Sequence, residues 1–284
     1  MDTTVARDTK SALEALHSMI YFVPEAEQHL GELGLQPGQM SYLAARSAPM
    51  GAVGAGVVTA TFYNFNPETV AASIPRAWTL ASPTDVLAAR FDAVDAALHR
   101  LLGEQALADD AVSEVAHLAR EATDGCAPEG KPLYAAHADL AWPEATHLQL
   151  WHAISLLREF RGDAHIAALQ RADVSGLQSM VLQHAAGEGL SASFSKASRG
   201  WSDQQWSAAG DELQNRGLLD ESGALTEGGT ALREEIESAT DAMSMPPWRH
   251  LGADKLERLT TRGGQLSRAV VKAGAFPRKA FVQG

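Results

Sequence analysis

Apolar residues recur at three- and four-residue intervals along most of the chain, the period of helices that bury one face. Leu13, Leu16, His17 and Ile20 follow i, i+3, i+4, i+7 and predict a first helix over 9–21. Pro24 suits the first turn of a second, which Gly34 closes, and a short helix follows over 38–46. The clearest stripe is Val86, Leu87, Phe91, Val94, Leu98 and Leu101, opened by Ser82-Pro83 and closed by Gly103. Asn66-Pro67 repeats the same opening device, and a further helix is expected over 111–122.

Residues 47–67 carry no charge, which raises the question of a membrane span. Pro49, Gly51, Gly54, Gly56, Asn64 and Asn66 interrupt the run, and its apolar part is much shorter than the roughly 20 residues a span needs. A buried helix is the better account. Gly54 and Gly56 do not make a phosphate loop, since no strand precedes them and no lysine follows. Phe62, Tyr63 and Phe65 add aromatic surface, either as plain core or as a pocket wall.

The densest mixture of apolar and ionisable residues is WPEATHLQLWHAISLLREFRGDAHIAAL, 142–169. At 100° per residue its apolar side chains spread around most of the wheel, so the helix is expected to be buried on several sides, ending near Phe160 at an Arg161-Gly162 break. Asp163 then reads as the N-cap of the next helix and Asp173 as the cap of another. His152, Ser155 and Glu159 share one polar stripe, with His147 and Arg158 beside Trp151 and Ile154. Buried polar groups need partners. Three outcomes stay open: a satisfied core network, the polar end of a ligand pocket, or an acid/base pair of His152 and Glu159. The candidate ligand-binding set is Tyr21, Phe62, Tyr63, Trp151, His152, Ser155, Arg158, Glu159 and His165. No metal set is assigned, because His152, Glu159 and His165 match no helical ligand spacing.

From Leu190 the pattern changes. A short helix over 191–199, a turn at Gly200, and a Ser202/Gln205 capping box opening a helix to Arg216 come first. Leu218-Leu219, a turn at 220–223 and Ala224-Leu225-Thr226 predict a small hairpin, and Thr226 caps another helix. Helix, turn, helix, hairpin, helix is the order of a winged helix-turn-helix. LQNRGLLDESGALTEGGTAL, 213–232, resembles the helix–wing–helix core of MarR-type regulators. YFVPEA (21–26), ATFYNFNPETVAASIPRAW (60–78) and LWHAISLLREFRGDAHIAAL (150–169) extend the likeness over nearly the whole chain, which resembles an uncharacterised actinobacterial helix-turn-helix family. That resemblance implies a fold and a homodimer paired through terminal helices. It carries no activity, cofactor or catalytic residue. Asp203, Asp211 and Glu212 on the candidate recognition helix, with Asp220 and Glu221 at the wing tip, disfavour DNA.

Composition narrows the picture further. Across 284 residues the formal net charge is −12, which argues against non-specific binding to nucleic acid or an anionic membrane surface. One cysteine, Cys126, excludes a disulfide within the chain, and the first residues lack a signal-peptide pattern, so a reducing cytoplasm is expected. The fold class expected is mostly α: a multi-helical N-terminal region (1–125), a linker with a short helix (126–142), a helical plus winged-helix region with a β-hairpin wing (143–245), and a basic C-terminal helix and tail (246–284). The expected function is a small-molecule-binding protein for a mostly apolar or aromatic ligand with its polar end at His152 and Glu159. A MarR-like DNA-binding regulator and an enzyme using that pair are the alternatives.

Overall fold

The computed structural model describes residues 2–277, and the end of the basic tail lies outside them. α1 (Thr4–Ser18) runs through a 3₁₀ turn (Met19–Tyr21) towards α2 (Pro24–Glu32). Five helices follow: α3 (Gln39–Ser47), α4 (Ala55–Phe62), α5 (Pro67–Ser73), α6 (Ala77–Leu80) and α7 (Pro83–Leu102). Then come α8 (Glu104–Leu107), α9 (Asp110–Thr123), α10 (Pro132–Ala138), α11 (Thr146–Arg171) and α12 (Gly176–Ala185). The remainder is α13 (Ala192–Arg199), α14 (Asp203–Asn215), α15 (Glu227–Met243), α16 (Pro246–Leu251) and α17 (Ala253–Lys272). No helix among the described residues is long and apolar enough to cross a membrane.

α11 runs through three of the four apolar clusters. Its Leu150, Trp151, Ile154 and Leu157 pack with α1, α7, α9, α16 and α17. Leu156 and Phe160 meet Tyr134 of α10. Ala168 and Leu169 join the apolar cluster of α12, α14 and α15. A separate cluster holds α2 to α6 against the first half of α7, with Val58 and Phe62 of the uncharged segment buried in it. The basic α17 is paired with the acidic α9: Lys255 meets Glu121, and Arg258 and Arg262 both meet Glu114.

Four expectations are corrected. α11 does not break at Gly162; it is one helix of 26 residues. A helical glycine costs only about 1 kcal/mol relative to alanine, and the side chains on either side of Gly162 are held by other elements. Asp163 is one of them. Instead of capping its own helix, it accepts the backbone N–H groups of Leu133 and Tyr134, both at 3.0 Å, and so caps α10. The cap of α12 is Ser175, which forms a capping box with Gln178, while Asp173 takes a left-handed conformation.

The β-hairpin wing is the fourth. Among the described residues there is no strand, only an isolated antiparallel bridge between Leu219 and Leu225. Two backbone bonds flank that bridge, Asp220 N–H to Ala224 O and Thr226 N–H to Leu218 O, and local bonds take up the rest. The Asp220 carboxylate accepts the N–H groups of Ser222 and Ala224, and Thr226 already caps α15 through the Gly229 N–H. About two residues remain on each side, too few for a ladder. The fold is all helix, with a turn where the wing was expected.

The seam between the N-terminal helices and the α12–α15 module is the stretch Tyr63 to Asn66. The Tyr63 hydroxyl donates to Val174 O at 2.8 Å, and Trp201 Nε1 donates to Asn64 O at 2.8 Å. Asn66 receives from one side and gives to the other: its backbone N–H donates to Arg199 O, its Nδ2 to Gly200 O, and its Oδ1 caps α5. Contact here is backbone to backbone, since a Cβ on Gly176 would lie 2.0 Å from Tyr63 O. Gly176→Ala is therefore expected to destabilise by at least the roughly 1–3 kcal/mol of core overpacking. Gly210→Ala, inside α14 with nothing within 4 Å of its added Cβ, should stabilise by up to about 1 kcal/mol. Urea unfolding of the two variants beside the parent chain measures both.

Candidate functional site

A cleft of about 350 Å³ opens where α1, α3, α11, α12, α13 and α15 converge. α11 supplies its longest wall, from Arg158 to Leu169. At one end the lining is charged and aromatic. Towards the other it includes Ile166, Leu169, Met180, Leu182 and Ile236.

The charged end is built on Glu159, which is 1% exposed. Arg46 Nη2 donates to both of its oxygens at 2.8 Å, and Arg158 Nη1 donates to Oε2 at 2.8 Å. Burial alone would push this carboxyl up; Arg158 and Arg46 hold it well below the usual carboxylate range. Arg46 sits in the last turn of α3, one turn beyond Tyr42, whose hydroxyl it reaches at 3.1 Å. Its guanidinium lies 4.7 Å from the Phe62 ring centroid and 5.7 Å from that of Tyr42.

Arg199, the last residue of α13, approaches Tyr42 as well. Its guanidinium carbon is 5.8 Å from the Tyr42 centroid and 4.8 Å from that of Phe65. It donates to Ser198 Oγ at 2.9 Å, and among the described residues no carboxylate forms an ion pair with it. Burial lowers the Arg199 pKa, and the neighbouring Arg46 and Arg158 act in the same direction. Tyr42 reports the resulting field. Although burial acts to raise its pKa, Arg46, Arg199 and Arg158 bring its phenol below the ordinary value. Three guanidinium groups thus converge where Glu159 is the one carboxylate hydrogen-bonded to any of them, with Glu14 acting on Arg158 as well, and the cleft head carries surplus positive charge. Arg46 Nε and Arg161 Nε add buried donors with no acceptor among the described residues.

The far wall is internally neutralised. Arg161 donates to Glu237 at 2.8 Å and Asp241 at 2.9 Å, and Arg233 to Glu188 at 2.8 Å. His165 reaches Thr240 Oγ1 at 3.0 Å.

Of the nine residues singled out from sequence, Phe62, Tyr63, Arg158, Glu159 and His165 line the cleft. Tyr21, Trp151 and Ser155 stand behind it around His17. His17 Nδ1 bonds Ser155 Oγ at 3.0 Å and its Nε2 the Tyr21 hydroxyl at 2.9 Å. The ring stacks on Trp151 with an interplanar angle of 1°. His152 faces elsewhere. It lies edge-on to Trp142 at 4.8 Å and 6.0 Å from Phe91, and shares no hydrogen bond with Glu159. The 1.5 Å rise per residue sets members of one stripe several ångströms apart along the axis, where different neighbours meet them. Tyr42, Arg46 and Arg199 were missed. Their only local signal is an arginine one turn after a tyrosine, followed by an uncharged run.

A helix-turn-helix family model matches residues 6–277, and the chain belongs to that family. Neither the curated proteins nor the solved structures yield a match.

Two outcomes follow from the buried charges. Glu159→Gln leaves Arg46 and Arg158 without their counter-ion and should cost about 3–5 kcal/mol, read as a fall in Tm and in the urea midpoint. The histidines predict acid sensitivity. Burial, helped by Arg90 and Arg120, lowers His152 to about 4, and burial with Arg90 lowers His137 to about 3. Unfolded histidine takes up a proton near pH 6.5, so each contribution is complete above that value and is lost as pH falls towards the folded pKa. His152 alone accounts for about 3 kcal/mol over this window. Urea unfolding between pH 7 and 4.5 should show a steep loss that His152→Asn flattens.

Proposed function

We propose that this member of the helix-turn-helix family is a small-molecule-binding protein whose ligand is an organic anion with an apolar body. The observation that carries the proposal is the convergence of Arg46, Arg158 and Arg199 on a cleft head with one carboxylate between them. Guanidinium groups match carboxylate and phosphate geometry through paired N–H donors. A ligand anion beside Arg199 supplies the counter-charge that Glu159 alone does not. Behind the head, Ile166, Leu169, Met180 and Ile236 accept an apolar body, and the volume is that of ordinary small-molecule sites. The walls come from both the N-terminal helices and the α12–α15 module, so an occupied cleft favours one mutual position of the two.

Membership of a helix-turn-helix family favours a second function, a DNA-binding regulator that places α14 on DNA. The outward face of α14 opposes it: Asp203, Asp211 and Glu212 are exposed there and would meet phosphate oxygens.

Thermal-shift titrations separate the two. Decanoate is expected to raise Tm and decylamine not to, and Arg199→Gln should weaken decanoate by about 10–100-fold, the loss of one charge-assisted hydrogen-bonding group. Indifference to every organic anion tried, or undiminished binding by the variant, would sink the proposal. Steeply salt-dependent retention of duplex DNA in a gel shift would favour the regulator instead.

A further inference from the structure

A second cluster of ligating side chains lies outside the cleft. Asp95 and His99 stand one turn apart on α7, and His147 comes from the first turn of α11. One ligand atom from each lies within 4.8 Å of the other two. His147 Nε2 is 2.6 Å from Asp95 Oδ1, and His99 Nε2 is 3.8 Å from the same oxygen. The two imidazole centroids are 5.2 Å apart, with their planes at 80°.

This arrangement has the dimensions of a coordination sphere. An i, i+4 pair projects two ligands from one helix face towards one point. A neighbouring helix supplies the third. Imidazoles sharing a tetrahedral ion at Zn–N distances of about 2.0–2.1 Å hold their centroids roughly 5 Å apart, which is the separation found. Two nitrogens and one carboxylate oxygen suit a borderline ion such as zinc, whereas calcium and magnesium seek oxygen ligands. A plain His147–Asp95 ion pair explains one contact, and helix register brings His99 beside the same oxygen, so the three ligand atoms are gathered around one point before any ion is bound. Access is open as well, since the Asp95 and His99 side chains are each 44% exposed.

We propose that Asp95, His99 and His147 form a binding site for a divalent first-row transition ion of the zinc type, clamping α7 to the start of α11. The clamp has a structural use there. α11 opens at Thr146 with no side-chain cap, and an ion held by His147 fixes its first turn. The site is independent of the arginine-lined cleft.

Zinc titrated into the tag-free full chain by calorimetry should bind saturably at one ion per chain, and should raise Tm as free zinc exceeds Kd. Cobalt(II) in its place should show the visible d–d absorption of a low-coordinate site. His99→Ala and His147→Ala should each weaken zinc by more than the roughly 10–100-fold that changes outside the first coordination sphere cost. His117→Ala, which removes an exposed histidine paired i, i+4 with Glu121, should leave the affinity unchanged. Because the His99 side chain is half exposed, its variant should melt like the parent without metal, separating ligand loss from unfolding. The absence of saturable binding, binding that survives both ligand substitutions, or equal loss in the His117 variant overturns the site.

Discussion

Glu159 accepts hydrogen bonds from Arg46 and Arg158 at 2.8 Å while almost fully withdrawn from solvent. A buried ion costs several kcal/mol of lost hydration, and a partner removed from such a group leaves that cost uncompensated. The carboxylate therefore ties α3 to a point 113 residues further along the chain. Its neighbours on α11 are bound the same way. Asp163 caps α10, and Arg161 pairs with Glu237 and Asp241 of α15. Alternate residues within little more than one turn of one helix are thus held by three different elements, and a break at Gly162 would dislocate them. The glycine stays helical because its surroundings outweigh its propensity.

That rigid helix defines only one side of the cleft. Arg199 is brought to the other by the short seam at Tyr63 to Asn66, where backbone groups of the two halves bond each other directly. Gly200 takes a left-handed φ of 76°, and a Cβ there would lie 1.8 Å from Thr69 Oγ1. A glycine is required, and it sets the exit direction of α13 and hence the placement of the arginine before it. The cationic head is therefore a product of tertiary position, made from residues that are unremarkable in their own segments.

Local chemistry was legible in the sequence. Asn66, Ser82, Ser202 with Gln205, and Thr226 cap the helices they were expected to cap, because a cap is decided within four residues. The stripe along α7 was legible for the same reason. Glu159 stood out as a carboxylate on an apolar helix. Its partner Arg46 did not, since nothing in a short helix before an uncharged run discloses what faces it. His152 and Glu159 share a wheel position, yet packing separates them: one meets Trp142 and Phe91, the other a pair of guanidinium groups. The wing stays a single bridge because its flanks are too short: Asp220 N–H donates to Ala224 O and Thr226 N–H to Leu218 O, and beyond these Thr226 already caps α15.

The charge of the C-terminal module is distributed in a way that bears on its use. Residues 176–243 hold eleven carboxylates and four Lys/Arg, and every one of the four is directed to a partner within the chain. Arg199 stacks on Phe65 at the cleft, and Arg216 donates to Ala172 O and Asp173 O. Arg233 pairs with Glu188, and Lys196 with Asp203. Phosphate recognition needs cations that are free and outward-facing, because affinity comes from releasing counter-ions from the nucleic acid. Here the outward charge is carboxylate and the cation best placed for an anion, Arg199, points inward. An anion small enough to enter the cleft meets guanidinium groups that a duplex outside cannot reach, and the proposed small-molecule role rests on this asymmetry.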